Sequence, residues 1–263
     1  MRAQIVLFDG FDPLDVVAPF EVLHAGGTAT GGAVTVELVS AEGPREVVSG
    51  TGGLALRATA ALDPARADVV LVPGASGRVG DVDETPGETP GETPGETSVE
   101  TPGDGNGDGN GDGNGNGDGN GDGGGGGGAE GDATIPALLA RTLTTRLPDL
   151  LRAAMADPAV TVATVCGGAL VPALAGLLEG RHATTHHLGL DLLDATGVHA
   201  VRARVVDDGD LVTGAGVTSG LDLALYLLER EAGPRIAHAV EEMFAHERRG
   251  TVWRAQGPVP TAF

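Results

Sequence analysis

The feature that most constrains this chain is a long internal segment without the side chains that a hydrophobic core needs. Residues 80–132 consist mainly of Gly, Asp, Asn, Glu, Thr and Pro, arranged as GETP repeats, then DGNG units, then six consecutive glycines. Low-complexity sequence of this composition cannot bury enough apolar surface to offset its conformational entropy. We therefore predict that 80–132 is a disordered, acidic, glycine-rich insert, and that the 263-residue chain otherwise forms a single domain.

The residues outside the insert are sufficient for one α/β domain and carry an ordinary charge. Roughly 200 residues remain, which is enough for a sheet with a well-buried core. Subtracting the 14 acidic residues between Asp81 and Asp132 from the formal net charge of −21 leaves −7 for the rest of the chain. All 16 basic residues are Arg and they form no cluster, so we expect neither nucleic acid nor an anionic membrane as a partner.

The chain has one cysteine, which excludes an internal disulfide. Its first residues, MRAQIVLF, read as a strand and lack the charged region, apolar region and cleavage site of a secretory signal. No apolar stretch reaches the length of a membrane span. We therefore expect a cytoplasmic protein, in which a lone thiol stays reduced.

Short apolar runs alternate with segments of helical spacing outside the insert. The runs predict strands at 4–8, 34–40, 68–72, 160–165, 201–206 and 211–213, with a hairpin over 47–56. The helical spacing predicts helices at 15–24, 147–155, 168–178, 188–194, 219–230 and 234–246. This alternation favours an α/β fold with a doubly wound, mostly parallel sheet covered by helices on both faces.

The segment AVTVATVCGGAL is the most informative one for chemistry. A β-branched strand runs into Cys166, and two glycines then allow a tight turn into a helix. The amino end of that helix would place N–H groups and a partial positive charge beside the sulfur, and we expect this setting to lower the pKa of the thiol. The alternative interpretation is a small buried core residue, since free cysteine is commonly buried.

Four segments together resemble a known superfamily. They are IVLFDGFDPLDVVAPFEVL, DVVLVPGAS, VATVCGGALVPALAGLLEGRHATTHH and GAGVTSGLDLALYLLER. They are similar to the ThiJ/PfpI superfamily, whose fold is flavodoxin-like and of the class I glutamine amidotransferase type, and within it to isonitrile hydratases and related regulator sensor domains. The resemblance spans nearly all of the chain outside the insert, and it implies a homodimer that uses no cofactor and no metal.

The resemblance also implies a catalytic pair. Cys166 would be the nucleophile, and Asp15, four residues before Pro19 on the first helix, would be protonated and hydrogen-bonded to the sulfur. A carboxyl group buried beside a thiolate should have a raised pKa, because desolvation and the neighbouring charge both disfavour its anion. The alternative for Asp15 is a helix N-terminal carboxylate that the dipole stabilises.

Backbone groups of two loops are implied to bind the reacting group. The N–H of Gly74 and the N–H of Gly167 would form an oxyanion pocket, with Ala75 and Gly168 beside them. The superfamily usually has a second glycine where this chain has Ala75, and isonitrile hydratases commonly have Thr where it has Gly167. His186 in ATTHH would orient water or substrate, or else cap a helix or lie in an interface.

Two further acidic patterns are predicted to be non-catalytic. Residues 104–109 match the first six positions of a calcium loop, but the bidentate glutamate is missing, so we expect no tight calcium site. Asp222, near the start of a predicted helix, is interpreted as a first-turn residue that the helix dipole favours.

The activity implied by the resemblance is that of a cysteine-dependent small-molecule hydratase or lyase. In the isonitrile case, substrate would become an N-substituted formamide through a Cys166 thioimidate. One alternative is a glyoxalase-like or amidase-like enzyme acting on reactive carbonyls. Another is a non-catalytic ligand-sensing domain related to AraC-type regulators, although the chain stops at Phe263, too soon after the last predicted helix for the helix-turn-helix pair of such regulators.

Overall fold

The structure is a computed structural model that describes residues 1–79 and 133–259. The predicted insert at 80–132 lies outside the described residues. The described residues form an α/β fold in which helices cover both faces of a mostly parallel sheet, as the alternation of elements predicts.

The main sheet has eight strands in the described part of the chain, in the order β12-β10-β11-β7-β6-β1-β2-β5. Its strands pair in parallel except for β10 with β11. They are β1 (Arg2–Val6), β2 (Thr35–Ser40), β5 (Ala60–Ala61), β6 (Val69–Val72), β7 (Thr161–Val165), β10 (Val205–Asp207), β11 (Leu211–Gly214) and β12 (Trp253–Arg254). Two small pairs lie outside it: the predicted hairpin, β3 (Arg45–Val48) with β4 (Ala55–Ala58), and β8 (His182–Ala183) with β9 (His199–Ala200).

Seven α-helices are present among the described residues. They are α1 (Pro13–Ala29), α2 (Ile135–Thr142), α3 (Leu147–Ala156), α4 (Leu170–Leu174), α5 (Leu190–Ala195), α6 (Ser219–Ala232) and α7 (Pro234–Phe244). Helices α1, α6 and α7 pack together on one face of the sheet, and α2 to α5 cover the other. None of the helices in 1–79 and 133–259 combines the length and the hydropathy of a membrane span.

Two predicted elements are shorter than the sequence suggests. The helix predicted at 168–178 is a 3₁₀ turn, Cys166–Ala169, followed by α4, which ends at Leu174. It stops there because Gly176 adopts a φ of 71°, a conformation that continues no α-helix. The strand predicted at 201–206 pairs only over Val205–Asp207, and the residues before Val205 include two arginines, Arg202 and Arg204.

The centre of the sheet places three loops side by side. Strands β1, β6 and β7 are adjacent and parallel, and all residues of β6 and β7 are buried. Burial on both faces explains why these strands are continuous apolar runs in the sequence. Because parallel strands end at the same edge, the segments that follow Val6, Val72 and Val165 meet there, where ligands of such sheets bind.

Candidate active site

Cys166 lies on a strained turn directly after β7. Val165 is extended, with φ −122° and ψ 140°, and Cys166 then adopts a φ of 55°. Among the described residues other than glycine, only Cys166 and Ala245 have a positive φ. A left-handed cysteine between a strand and a helical turn is the geometry of a nucleophile elbow, where strain is kept because it positions a reactive atom.

Two glycines allow the neighbouring loops to pack directly against this turn. A Cβ atom on Gly168 would lie 2.2 Å from the carbonyl oxygen of Val72. A Cβ atom on Gly74 would lie 2.8 Å from Oδ2 of Asp15, 2.8 Å from the amide nitrogen of Gly167 and 3.2 Å from Cβ of Cys166. Gly74 is therefore the point at which the Asp15 carboxyl, the Gly167 amide and Cys166 come together.

Asp15 belongs to the first turn of α1 and is completely buried. The backbone N–H of Gly74 donates a hydrogen bond of 2.9 Å to its Oδ2. Its Oδ1 is buried and has no hydrogen-bond partner among the described residues. Since Oδ2 already accepts a hydrogen bond, the proton of a neutral Asp15 belongs on Oδ1, from which it can be donated to a reacting atom.

The environment of Asp15 favours its neutral form. Burial, and then the negative charge of Asp12, raise the pKa of Asp15 to about 8, although the hydrogen bond from Gly74 and the neighbouring Cys166 thiol act in the opposite direction. Most of the Asp15 carboxyl is therefore protonated at neutral pH. This agrees with the raised pKa that the sequence predicts for the group.

The thiol differs from the sequence expectation. The pKa of Cys166 is raised, first by burial and then by the negative charge of Asp15, while the N–H of Gly167 lowers it. The predicted lowering assumed a long helix beginning at the cysteine. The turn is instead 3₁₀, α4 has only five residues, and desolvation outweighs the few aligned dipoles. The resting pair thus holds a proton on both the sulfur and the carboxyl.

Thr185 is a residue of this site that sequence reasoning missed. Its side chain is fully buried, and its hydroxyl donates a hydrogen bond of 2.7 Å to the carbonyl oxygen of Cys166. The residue before it, Thr184, is fixed by a 2.8 Å bond from its N–H to the hydroxyl of Thr213 on β11. The ATTHH segment therefore holds the elbow in place from the side. Thr185 and Cys166 are 19 residues apart, so no local sequence pattern signals this contact.

His186 follows Thr185 and has a local structural role. Its Nδ1 accepts a 3.3 Å hydrogen bond from the N–H of Leu188, so it caps the 3₁₀ turn His187–Gly189. Burial, and then the neighbouring His187, lower the pKa of the ring. The ring is thus neutral at physiological pH, and its Nε2 carries the proton.

The N–H groups of Gly74 and Gly167, which the resemblance implies as oxyanion donors, have different partners in the structure. The N–H of Gly74 is occupied by Asp15, so in the resting site Gly74 holds the acid instead of presenting an open donor. Ala75 is buried and forms an isolated bridge with Phe11. The N–H of Gly167 remains directed at the sulfur.

Helix α2 covers the elbow. The Cδ1 atom of Leu139 would lie 3.3 Å from a Cβ atom on Gly167, and Leu138 would lie within 2.6 Å of one on Gly10 and 3.1 Å of one on Gly77. Both leucines are almost completely buried. The space that a larger residue at position 167 would occupy is therefore filled by Leu139, and Cys166 is only 8% exposed.

Asp222 does not take part in this arrangement. Its carboxylate is 3% exposed and binds the guanidinium of Arg204, the ring of His246 at 3.2 Å and the backbone N–H of Arg249 at 3.1 Å. It joins the first turn of α6 to the segment that follows α7. The Asp222 carboxylate can be buried because these partners match its charge and its hydrogen-bonding oxygens. We therefore interpret Asp222 as a structural residue.

Comparisons with known proteins agree with this fold. The model of the DJ-1/PfpI family matches residues 139–230. The chain is 48% identical over 80 residues to the isonitrile hydratase of Pseudomonas putida, covering 30% of this chain and 35% of that protein. It is 36% identical over 87 residues to the HTH-type transcriptional regulator CdhR of Pseudomonas aeruginosa, covering 32% of this chain and 26% of the regulator. The matches thus span about a third or less of these curated relatives.

A solved structure extends the similarity of fold to almost the whole chain. A ThiJ/PfpI family protein from Pseudomonas syringae superposes with a TM-score of 0.63 at 21% identity, covering 95% of this chain and 76% of that protein. The common architecture therefore includes the strands and helices that build the elbow.

Proposed function

We propose that this chain, whose residues 139–230 match the DJ-1/PfpI family model, is a cysteine-dependent hydratase that converts isonitriles to N-substituted formamides. The proposal rests on one observation: a carboxyl group with a raised pKa and an unpaired, fully buried oxygen lies beside the only thiol of the chain. An isocyano carbon needs both a nucleophile and a proton, and this pair supplies one of each. The similarity to the isonitrile hydratase of Pseudomonas putida supports the same reaction class.

The first step adds the thiol across the isocyano carbon. The sulfur of Cys166 forms the new C–S bond while Asp15 gives its Oδ1 proton to the same carbon, and the carboxylate takes up the proton that the thiol loses. The product is a thioimidate, R–N=CH–S–Cys166. No net charge develops, so the site needs no cationic group to stabilise it.

The second step adds water and releases the product. Water attacks the thioimidate carbon and gives a tetrahedral R–NH–CH(OH)–S–Cys166 adduct. Its collapse breaks the C–S bond, returns a proton to the sulfur and yields the formamide R–NH–CHO. The N–H of Gly167, directed at the sulfur, stabilises the departing thiolate before it is protonated.

Turnover of an alkyl isonitrile by purified protein tests this proposal. We expect Cys166→Ala and Asp15→Asn each to abolish formamide production, and intact-protein mass spectrometry to find the thioimidate on wild type but not on Cys166→Ala. A folded wild-type protein that turns over no member of an isonitrile panel would refute the reaction. Formation of lactate from methylglyoxal by the same protein would favour the alternative of an enzyme for reactive carbonyls.

A second candidate is a ligand-sensing domain without catalysis. The similarity to the regulator CdhR and the low exposure of the Cys166 thiol favour it. A sensor of this kind would bind a small molecule above the elbow without forming a covalent bond. Failure of Cys166 to react with iodoacetamide at pH 7, together with saturable ligand binding by Cys166→Ala, would support the sensor over the enzyme.

A further inference from the structure

We infer that this site selects uncharged or cationic substrates and excludes anionic ones, and that the carboxylate of Asp12 is the residue responsible. This inference rests on the proposed function and names the substrate class for it. The buried and unpaired Oδ1 of Asp15 marks where the reacting group binds. Asp12 lies on the same turn of chain, three residues earlier.

Asp12 is fixed beside the reacting pair by two backbone contacts. Its N–H donates a 2.9 Å hydrogen bond to the carbonyl oxygen of Gly74, the residue whose own N–H binds Asp15. Its Oδ1 accepts a 2.9 Å bond from the N–H of Leu14. The carboxylate is therefore held in place at the amino end of α1, and its charge raises the pKa of both Asp15 and Cys166.

The amino end of α1 is closed to anions by the same arrangement. A free helix N-terminus attracts anions through its unpaired N–H groups. Here Pro13 has no N–H, and the N–H of Leu14 is taken by Asp12. The positive end of the helix dipole is thus matched by a carboxylate of the chain itself.

Arg45, which pairs with the loop after β1, does not cancel that charge. Arg45 donates two hydrogen bonds to Asp9, at 2.8 and 3.0 Å, and one to Glu42 at 3.4 Å. Its charge is therefore matched by carboxylates other than Asp12. An anionic substrate approaching Cys166 meets the field of Asp12, whereas a neutral isonitrile does not.

Alkylation of Cys166 by two reagents of nearly the same size tests the inference. Iodoacetamide is neutral and iodoacetate is an anion; with each, the thiolate displaces iodide, a C–S bond forms, the C–I bond breaks and the thiol proton goes to solvent. We expect wild type to prefer iodoacetamide over iodoacetate by a factor larger than N-acetylcysteine shows. Asp12→Asn should reduce this preference, on the order of 3- to 10-fold, because the negative charge held at the amino end of α1, beside the loop of Gly74, is removed.

The substitution keeps the fold, since Asn is as good an N-cap as Asp. The matched control is Glu21→Gln, which removes one charge from an exposed position of the same helix, about 13 Å further along its axis. We expect its preference to equal that of wild type. Added salt should shrink the preference of wild type more than that of Asp12→Asn.

The first two of the following three outcomes distinguish the charge selection from the hydratase activity. An unchanged preference in Asp12→Asn, or an equal change in Glu21→Gln, overturns the charge selection while leaving the hydratase intact. The expected preference without isonitrile turnover refutes the hydratase and leaves the charge selection standing. A thiol that reacts with neither reagent overturns both.

Discussion

Cys166 and Asp15 lie in a space from which most water is excluded, and their protons are therefore coupled to folding. The unfolded chain exposes Asp15 to water with an ordinary pKa near 3.8, whereas in the folded protein burial raises the pKa of this carboxyl to about 8. Between these two values the folded state holds a proton that the unfolded state releases. Each rise in pH through that range consequently favours unfolding.

Replacing this acid by its neutral amide tests the coupling. Relative to Asp15→Asn, we expect wild type to lose about 1.4 kcal/mol of unfolding free energy per pH unit between roughly pH 4 and pH 8, with no further change outside this range. The Asn side chain keeps the acceptor for the N–H of Gly74, so the loop remains in place. Urea unfolding of both proteins at several pH values measures the difference in unfolding free energy. A difference that stays constant from pH 4 to pH 8 would contradict the prediction.

The two residues of the proposed catalytic pair could be predicted from the sequence to different degrees. Cys166 is indicated by its own neighbours, since a β-branched strand followed by two glycines is typical of an elbow, and the same pattern also fits a small buried core residue. Asp15 was assigned only by resemblance, since a carboxyl in a first helical turn is usually explained by the dipole. Thr185 and Leu139 were missed because their contacts join segments far apart in the chain, and no local pattern encodes such pairings.

At the scale of elements, the elbow is stabilised by the segment that leads from β8 to α5. The hydroxyl of Thr185 satisfies the carbonyl of Cys166, a group that the left-handed turn removes from ordinary strand pairing. A buried carbonyl without a partner costs about 1–3 kcal/mol. The segment thus keeps a strained cysteine in its reactive position.

Removing that hydroxyl should affect stability and reactivity together. We expect Thr185→Val to lose about 1–3 kcal/mol of unfolding free energy and to slow alkylation of Cys166 at every pH, while Thr185→Ser restores both. The matched control is Thr196→Val, which removes a similar hydroxyl bond, to the carbonyl of Leu193 at the end of α5. If Thr196→Val slows alkylation as much as Thr185→Val, the effect comes from general destabilisation and the role of Thr185 in holding the elbow is refuted.

Element type was predictable along most of the chain, but element length was not. The run of apolar residues after Cys166 continues to Leu178, and nothing in its spacing marks the end of α4 at Leu174. The stop depends on Gly176 adopting a left-handed conformation, which packing decides. The consequence is large for the site, since a short helix supplies little positive potential to the thiol.

At the scale of the whole molecule, the two points where the described chain breaks off lie next to each other. The N–H of Arg78 donates to the carbonyl of Ala133 at 3.2 Å, and the N–H of Ile135 donates to the carbonyl of Arg78 at 2.9 Å. Arg78 and Thr134 form a parallel bridge. The domain is therefore closed at this point by its own backbone.

This closure predicts that residues 80–132 can be removed. We expect a variant in which a four-residue Gly/Ser linker replaces them to fold, to keep the reactivity of Cys166, and to gain about 2 kcal/mol of unfolding free energy from the shorter loop. Chemical denaturation of both proteins measures the gain. A loss of several kcal/mol would show that the replaced residues contribute to the fold, contrary to the prediction from their composition.

The main sheet ends on both sides in strands of two residues, β5 and β12. A long exposed edge strand offers a row of unpaired backbone groups to which a second chain can add, and very short edges are one way in which natural proteins prevent this. The buried strands β1, β6 and β7 are enclosed in the middle of the sheet. Growth of the sheet from one molecule into the next, the usual route to aggregates, is thereby blocked at both borders.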